Sequence, residues 1–585
     1  MDRIPKTYTV RDALEMVGKD GSDIEFSDDD SEEEYNPVNN ESESSDDDQN
    51  LDHSENDSDS YDDEPLAERL QKQKTSSSAT DMQEKYKYRW RSRGFDQQEM
   101  PFSGDEYLLT EPEPSSLEFF RQFVTKEMLQ NMCEQTNVYS VEKSGISIET
   151  SVDELEKIIG MYFLMGLVQL PSVRSYWENA TRYPCVADEM GRTRFQKLLT
   201  LLHFVNNNQV TDEEKKDKLW KLRPWLDKLR TNFLTVTPSE HQSVDEMMVA
   251  FKGKYGPRVY MPKKPTKWGY KLWARASSSG FIHDFDVYQG ASDEITDRDI
   301  GSSGEIVMKL ASTLPEGKNH KLYADNYFTS LPLVEKLKER GIQYVGTARN
   351  NRLKGCPLKS EKSLKSQGRG AYDVKVDQQK GIIVLRWLDK KAVTLVSSYC
   401  GEHPVGTARR WNKKEKKYVD IQKPKIVAEY NKFMGGIDLM DMLCSLYRYS
   451  IKSRRWYLYI WYHTLTVAMV NSWLIYRKHQ QNGKYMKLRC FQAIVAEGLL
   501  KAGKTRKRKS SLDNPSPIPR KRQTSVPVDD VRFDGVDHLP DWDNDNRQRC
   551  KLCKDSRSHA MCRKCNVYLC FNKDRNCYKE YHTRG

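Results

Sequence analysis

The sequence lacks an apolar run at its start and is poor in hydrophobic residues overall. "MDRIPKTYTVRD" contains no segment typical of a signal peptide, so we expect a protein that is not secreted. Hydrophobic residues make up only 37% of the 585 positions, which indicates that part of the chain stays solvated. The remainder is long enough for two to four domains, and 12 tryptophans and 31 tyrosines supply large side chains for their cores.

Large apolar side chains are almost absent from residues 1–65, which carry 24 acidic residues against four basic ones. Such a segment cannot bury enough apolar surface to offset its ordering entropy, so we predict a disordered acidic tail. The other 520 residues hold 90 basic and 61 acidic side chains, a net charge of +29. A body this basic favours a polyanionic partner, for which the tail can compete. A merely solubilising tail is the alternative.

Formal charge is absent from "WYLYIWYHTLTVAMVNSWLIY", Trp456 to Tyr476, which is long enough to span a membrane. It also contains His463, Asn471 and Ser472, and its aromatic residues are spread along its length instead of gathering at the ends. We therefore predict a buried helix, no membrane partner and a soluble intracellular protein. In that compartment the cysteines are expected to be thiols or metal ligands and not disulfides.

The hydrophobic period changes along the chain. From Ser115 to about Asn208 apolar residues recur at helical spacing, and serines precede acidic residues at two predicted helix starts. After residue 240, alternating segments such as "HQSVDEMMVAF" and "HKLYADNYF" predict strands, followed by a helix from Ser330 to Gly341. Strands with a helix packed on them indicate an α/β sheet domain. Residues 350–425 are rich in Lys and Gly, with a predicted hairpin in "IIVLRWLDKKAVTLVSSY", and helical spacing then resumes to about Lys501.

Two basic clusters separated by Pro and Ser follow in "KTRKRKSSLDNPSPIPRKRQ". This pattern is typical of an address read by a nuclear import receptor or of a nucleic-acid patch, and a solvated linker is the alternative. "EKYKYRWRSRGF", Glu84 to Phe95, alternates basic and aromatic residues. It could grip a phosphate backbone or serve as a basic linker.

Four aspartates have settings suited to chemistry. Asp245 lies inside an apolar strand, Asp325 ends the strand "KLYAD", and Asp438 and Asp441 begin a helix after a Gly-Gly pair. Singly, each is explained as a turn former or a helix cap. Together they are costly, because a buried carboxylate destabilises a strand and two carboxylates at i, i+3 repel. A magnesium or manganese pair would relieve these penalties and support in-line attack on a phosphodiester, as in an RNase H-like nuclease or transposase.

Three blocks carry a family resemblance: "SVDEMMVAFKGKYG", "YADNYFTS" and "YNKFMGGIDLMDM". They resemble the acidic blocks of piggyBac transposases and of the proteins derived from them. The resemblance extends from about Ser115 to the C-terminus through "PSVRSYW", "LHFVNNN" and "KWGYKLW". It implies that Asp245, Asp325 and Asp438 form the catalytic triad of an RNase H-like fold, with Asp441 beside it. All four are then predicted to be catalytic and to hold the divalent metal.

The resemblance also implies a domain layout. An α/β RNase H-like catalytic core carries a β-rich insertion, and helices from both flanks form one all-α unit for dimerisation and DNA binding. A small zinc-binding domain follows at the C-terminus. The predicted ranges are 1–83 for the disordered acidic tail, 84–238 and 445–500 for the helical unit, 239–349 and 426–444 for the catalytic domain, 350–425 for the insertion, 501–544 for a basic linker with a nuclear localisation signal, and 545–585 for the zinc-binding domain.

Six of the 12 cysteines fall within a stretch of 28 residues near the C-terminus, in the pattern C-x2-C-x8-C-x2-C-x4-C-x6-C-x4-H. Paired C-x2-C spacings are typical of tetrahedral zinc sites, and a segment this short has no core without metal. Two zinc ions need eight ligands, and seven are evident: Cys550, Cys553, Cys562, Cys565, Cys570, Cys577 and His582.

The family resemblance implies a cross-brace of two zinc ions with a histidine near Cys570, where this chain has Lys573. We predict His559 as the substitute eighth ligand, although its place in the eight-residue loop is unusual. By the same resemblance, this domain binds the terminal inverted repeats of a transposon. The other six cysteines are scattered and are expected in the core.

Two functions remain open from the sequence. The first is a cut-and-paste DNA transposase that, by the resemblance, acts at TTAA sites in the nucleus as a homodimer. The second is a piggyBac-derived nuclear protein that binds DNA without transposition. A membrane or purely structural protein would rest on the aromatic helix alone. The four intact aspartates favour the first function.

Overall fold

The computed structural model describes residues 88–583 apart from 97–99, 106, 108–112, 263, 265, 291–296, 413–414, 481–483 and 502–531. The predicted acidic tail and the basic clusters after Lys501 lie outside the described residues. The chain divides into two compact units, Met1–Lys504 and Thr505–Gly585.

The first unit contains most of the helices. They are α1 (Ser116–Phe123), α2 (Lys126–Ser144), α3 (Val152–Leu167), α4 (Pro184–Ala187), α5 (Arg192–Leu201), α6 (Arg223–Leu234), α7 (Gly301–Ala311), α8 (Leu331–Glu339), α9 (Glu361–Gln367), α10 (Lys425–Phe433), α11 (Gly436–Leu446), α12 (Trp456–His479) and α13 (Leu488–Leu500).

Several of these helices begin where the sequence predicts. The side chain of Ser115 accepts a hydrogen bond from the Glu118 amide at the start of α1, and the Glu118 carboxylate accepts from the Ser115 amide in return. Ser151 caps α3 by accepting from the Glu154 amide, and Ser330 caps α8 by accepting from the Leu333 amide. These side chains satisfy amides that the first helical turn leaves unpaired. After α8, Gly341 adopts a φ of 69°, which an L side chain disfavours.

The same unit contains one large mixed sheet and a separate hairpin. The strands are β1 (His241–Ala250), β2 (Val259–Tyr260), β3 (Trp268–Ser277), β4 (Ile282–Val287), β5 (Lys321–Ala324), β6 (Gln343–Thr347), β7 (Tyr372–Asp377), β8 (Ile382–Leu388), β9 (Ala392–Ser397), β10 (Gly406–Asn412) and β11 (Lys417–Lys423). The sheet order is β2-β3-β1-β5-β6-β9-β8-β7, with β4 on β3. β1 runs antiparallel to β3 and parallel to β5, which is parallel to β6.

Helices from both ends of this unit share one hydrophobic core. α3 packs along α13 so closely that a Cβ added at Gly160 would lie 2.9 Å from the Ala496 carbonyl oxygen. α12, the predicted aromatic helix, lies inside this core, and its Trp461 side chain is fully buried. Among the helices that the structure describes, none combines the length and apolar character needed to cross a bilayer.

The segment predicted as an insertion is only partly separate from the sheet. β8 and β9 form the predicted hairpin, with Leu385 opposite Leu395. β9 also pairs with β6, so that β7, β8 and β9 continue the main sheet. β10 and β11 form a second hairpin that is not hydrogen-bonded into it.

The second unit is described from residue 532 onward. It contains β12 (Pro540–Trp542), β13 (Gln548–Arg549), β14 (Arg557–Ser558), β15 (Ala560–Cys562), β16 (Val567–Tyr568) and α14 (Cys577–His582). β12 pairs with β15, so the folded unit begins before residue 545, where the sequence analysis placed its start. Six cysteines belong to its small core.

Candidate active site and metal-binding clusters

Asp245 lies in the central strand of the sheet. It belongs to β1, between β3 and β5, with Ala274 of β3 directly opposite. Its side chain is half-buried, and its Oδ1 accepts a hydrogen bond of 2.8 Å from the Glu246 amide. The flanking residues Val244 and Met247 are buried, so the strand holds the carboxylate in a fixed position.

Asp325 directly follows β5, the parallel neighbour of β1. Its Oδ1 accepts from the Tyr327 amide at 2.8 Å, and its carbonyl oxygen accepts from the Thr329 hydroxyl at 2.9 Å. These bonds form the turn that leads into α8 and fix the carboxylate at the carboxyl end of the strand. The position is a common one for ligand-binding residues in α/β sheets.

Asp438 and Asp441 lie in the first two turns of α11, which packs directly against the sheet. Asp438 is exposed and Asp441 is half-buried. The close approach depends on Gly436, because a Cβ there would lie 2.4 Å from the Ser277 carbonyl oxygen and 2.7 Å from the Ser243 hydroxyl. Gly436 therefore allows the start of α11 to lie on β1 and β3, beside Asp245.

We expect Gly436→Ala to lower the free energy of unfolding by about 1–3 kcal/mol, because the new methyl group overpacks the contact between α11 and the sheet. A displacement of Asp438 by about 1 Å would also cost activity, on the order of a hundredfold. The matched control is Gly435→Ala: its Cβ would meet no described atom within 4 Å. Urea unfolding and DNA cleavage assays check both variants, and equal behaviour of the two would contradict this role for Gly436.

The carboxylates share one electrostatic environment. Burial, followed by the charge of Glu246, raises the pKa of Asp245 well above its ordinary value, and the charge of Asp325 raises it further. Burial likewise raises the pKa of Asp325. The Lys264 ammonium lies 3.1 Å from a Glu246 carboxylate oxygen. Burial alone would lower the pKa of Lys264, but Glu246, Asp245 and Asp438 raise it. Glu246 and Lys264 were not among the predicted site residues, because neither has a diagnostic spacing in the sequence.

The charges at this site fit a divalent cation. Two ammonium groups, Lys264 and Lys271, interact with five carboxylates. These are Asp245, Glu246, Asp325, Asp438 and Asp441. Among the described residues the aspartates do not form a cage with all ligand atoms within 4.8 Å of one another. Carboxylates that leave coordination positions open are suited to magnesium, which is usually bound by one or two carboxylates together with substrate phosphates.

Asp441 gives this site a pH dependence. Burial raises the pKa of Asp441 to about 7, and the charge of Asp438 adds to the shift. Between about pH 4 and pH 7, folded Asp441 therefore keeps a proton that the unfolded chain releases, so stability falls as the pH rises. We expect Asp441→Asn to be more stable than wild type at pH 8 without metal, and the difference to disappear near pH 4. Urea unfolding at several pH values measures it, with Asp227→Asn on an exposed helix position as the control.

Two Cys/His clusters lie in the second unit. In each, four ligand atoms lie within 4.8 Å of one another. The first cluster joins Cys550, Cys553, Cys570 and Cys577, and the second joins His538, Cys562, Cys565 and His582. The two sets alternate along the chain, which is the cross-braced order that the family resemblance implies.

The identity of one residue in the second cluster corrects the sequence analysis. His559, the predicted eighth ligand, belongs to neither cluster: its ring stacks on Trp542, and its Nδ1 lies 2.8 Å from the Asp543 carbonyl oxygen. His538 occupies the fourth position instead, with its Nδ1 3.4 Å from Cys562 Sγ and 3.5 Å from Cys565 Sγ. The seven other predicted residues are all in the clusters.

Both clusters have the dimensions and donor chemistry of zinc sites. The edges of a tetrahedron around zinc are about 3.8 Å between sulfurs, given Zn–S bonds of about 2.3 Å. Cys553 Sγ and Cys570 Sγ are 3.7 Å apart. The amides of Ser556 and Asp555 lower the pKa of Cys553 to about 5, which favours the thiolate that binds metal.

The histidines are oriented to offer one nitrogen each. His538 Nε2 lies 3.1 Å from Asp534 Oδ1, which directs Nδ1 toward the sulfurs. His582 Nδ1 lies 2.8 Å from the Tyr578 carbonyl oxygen, and its Nε2 is buried without a hydrogen-bond partner among the described residues. A second hydrogen-bond partner on each imidazole is the usual support of a metal-ligating histidine.

Comparison with known proteins identifies the family to which the chain belongs. The family described as "Transposase IS4" matches residues 115–473, more than half of the chain. Human PiggyBac transposable element-derived protein 3 is 30% identical over 473 residues, which cover 80% of this chain and 76% of the relative. Human PiggyBac transposable element-derived protein 2 is 29% identical over 483 residues, covering 81% and 78%. The chain therefore belongs to the piggyBac transposase family.

A solved structure shares the fold. The cryo-EM structure of a piggyBac transposase synaptic complex with hairpin DNA superimposes with a TM-score of 0.59 at 21% identity. The match covers 80% of this chain and 99% of that chain.

Proposed function

We propose that the protein is a metal-dependent DNA transposase that cuts phosphodiester bonds at the ends of a transposable element and joins them to new DNA at TTAA sites. The observation that carries this proposal is the assembly of Asp245, Asp325, Asp438 and Asp441 from β1, the end of β5 and the start of α11. The elements that carry these residues are far apart in the sequence. The simplest reason for the proximity of the residues in the fold is that they share one chemical function.

The arrangement of the central strands supports an RNase H-like core. The strands β1, β3 and β4 form an antiparallel meander, with the two-residue β2 between β1 and β3 in the chain, and β5 and β6 add in parallel on the other side of β1. The proposed core is the part of the sheet with the spatial order β4-β3-β1-β5-β6. In chain order, Asp245 lies in the first of these strands, β1, and Asp325 lies at the end of the fourth, β5.

In this proposal the four aspartates hold two magnesium or manganese ions. The bound ions would supply Lewis-acid stabilisation of the phosphodiester and an activated hydroxyl or water. The turn at Asp325 and the packing of α11 at Gly436 keep the carboxylates in place before DNA arrives. Lys264 balances part of their charge in the absence of metal.

The proposal extends to the other parts of the chain. The helical unit around α3, α12 and α13 forms the homodimer and contacts DNA. The second unit holds two structural zinc ions and binds the terminal inverted repeats. A nuclear import receptor recognises the basic clusters after Lys501 and directs the protein to the nucleus. The net charge of +29 outside the first 65 residues supports double-stranded DNA as the partner.

A second candidate function is nuclear DNA binding without transposition. The observation that favours it is that both human relatives are named as transposable element-derived proteins and not as transposases. Such a protein would keep the fold and the zinc clusters and could retain every aspartate.

Cleavage by the wild-type protein separates the two functions. The substrate is a plasmid that carries a marker between the sequences flanking this protein's own gene, bordered by TTAA. We expect nicks at these borders in magnesium or manganese and none when both of these ions are omitted. Specific binding without nicks in either metal would favour the DNA-binding protein and overturn the transposase.

A further inference from the structure

The β10–β11 hairpin is held firmly at its base. Ala408 and Ile421, opposite each other in the hairpin, are buried in the same core as Trp387. The Trp387 indole donates a hydrogen bond of 2.8 Å to the Gln422 carbonyl oxygen. Gly370, at a φ of 97°, approaches so closely that an added Cβ would lie 2.9 Å from the Gln422 amide. The base of the hairpin is therefore anchored to the main sheet by these contacts.

The opposite face of the hairpin is aromatic and exposed. Trp411 and Tyr418 are direct cross-strand partners with ring centroids 5.1 Å apart, and their exposed fractions are 48% and 58%. The Arg409 guanidinium lies 4.7 Å from the Tyr418 ring centre on the same face. Single exposed aromatic residues are common on protein surfaces, but a paired tryptophan and tyrosine beside an arginine form a contiguous patch.

The hairpin is also strongly basic. Residues 406–423 contain seven Lys and Arg and two Asp and Glu, a net charge of +5. Arg410 pairs with Asp389 at 3.0 Å, and Lys417 pairs with Glu415 at 2.9 Å. Lys416 is exposed in the turn, two residues before Tyr418 in the chain. This combination of positive charge and open ring faces is complementary to nucleic acid, whose phosphates are anionic and whose bases stack.

We propose that this face of the β10–β11 hairpin is a stacking surface for unpaired bases of the DNA substrate, with Trp411 and Tyr418 as the stacking residues. In duplex DNA each base is already covered by its neighbours, so an exposed ring gains most from a base that has left the stack. Arg409 and Lys416 would contact the adjacent phosphates. The proposal rests on the proposed function only for the choice of DNA as the partner.

Equilibrium binding of the full-length protein to two fluorescent probes tests the proposal. One probe is a single strand, and the other is the same strand in a blunt duplex, both without metal so that no cleavage occurs. We expect Trp411→Ala/Tyr418→Ala to weaken single-strand binding at least about fivefold, because stacking on one base is worth about that factor or more. Duplex binding should change less than twofold.

The matched control is Trp411→Phe/Tyr418→Phe, which keeps both rings and should retain most of the single-strand affinity. Thermal unfolding of both variants should equal that of wild type, because the rings are exposed. Unchanged single-strand binding by the alanine variant, or equal losses on both probes, would overturn the proposal. A failure to cleave DNA would not affect this measurement, so the two proposals can fail separately.

Discussion

Asp245→Asn, Asp325→Asn and Asp438→Asn should each reduce magnesium-dependent strand cleavage by about a thousandfold or more, while binding to terminal-repeat DNA stays within about twofold of wild type. The amide keeps the size of the side chain but removes a charged metal ligand. Transition-state stabilisation by a bound metal is worth several kcal/mol, and each 1.36 kcal/mol corresponds to about tenfold in rate. Binding is retained because these carboxylates make no favourable contact with phosphates.

The measurement is single-turnover cleavage of an end-labelled duplex, with binding followed on the same DNA when magnesium and manganese are omitted and the zinc is left in place. Asp227→Asn is the matched control, since Asp227 is exposed on α6, outside the proposed site, and should leave cleavage unchanged. Undiminished cleavage by any of the three site variants would contradict its assignment as a metal ligand.

The sequence indicates the positions of the four aspartates because each stands at a recognisable boundary. Asp245 interrupts an apolar strand, Asp325 ends one, and Asp438 follows a Gly-Gly pair. The residues that complete the site have no such signal. Lys264 reaches Glu246 from the irregular segment between β2 and β3, and the need for glycine at 436 arises from Ser277, about 160 residues earlier.

Strand pairing across the predicted insertion could not be read from the local pattern. The alternation in β8 and β9 predicts a hairpin, and the hairpin is present. Its attachment to the main sheet depends on β6, where Val345 pairs with Ser397. Pairing over this distance is decided by the packing of whole elements and not by the alternation of either strand. The sequence therefore predicted the strands but not the sheet that they join.

His538 was missed for a related reason. The C-x2-C pairs are recognisable by their spacing. His538 has no such spacing: it precedes Cys550 by 12 residues, yet it clusters with Cys562 and Cys565 and not with Cys550. In a cross-braced unit the ligands of one ion come from alternate segments, so proximity in sequence is a poor guide to the last ligand. The segment from Asp534 to Trp542 is brought there by the pairing of β12 with β15.

The full-length protein should contain two zinc ions per chain, and their removal should unfold the second unit while the first unit stays folded. The core of the second unit consists largely of the cysteines themselves, so little apolar burial remains without metal. Burial raises the pKa of Cys577 to about 12, and a bound cation would offset the cost of its thiolate. Metal analysis gives the stoichiometry, and protease digestion with and without a chelator reports which unit unfolds.

Three variants locate the two ions. Cys550→Ser should lose one ion and His538→Ala the other, so that each variant retains about one zinc per chain. His559→Ala should retain both, because its ring stacks on Trp542 outside the clusters. The comparison is sharp, since both histidines lie within the same small unit and only one points at sulfur. Loss of an ion in His559→Ala together with two ions in His538→Ala would reverse the assignment and restore His559 as the eighth ligand.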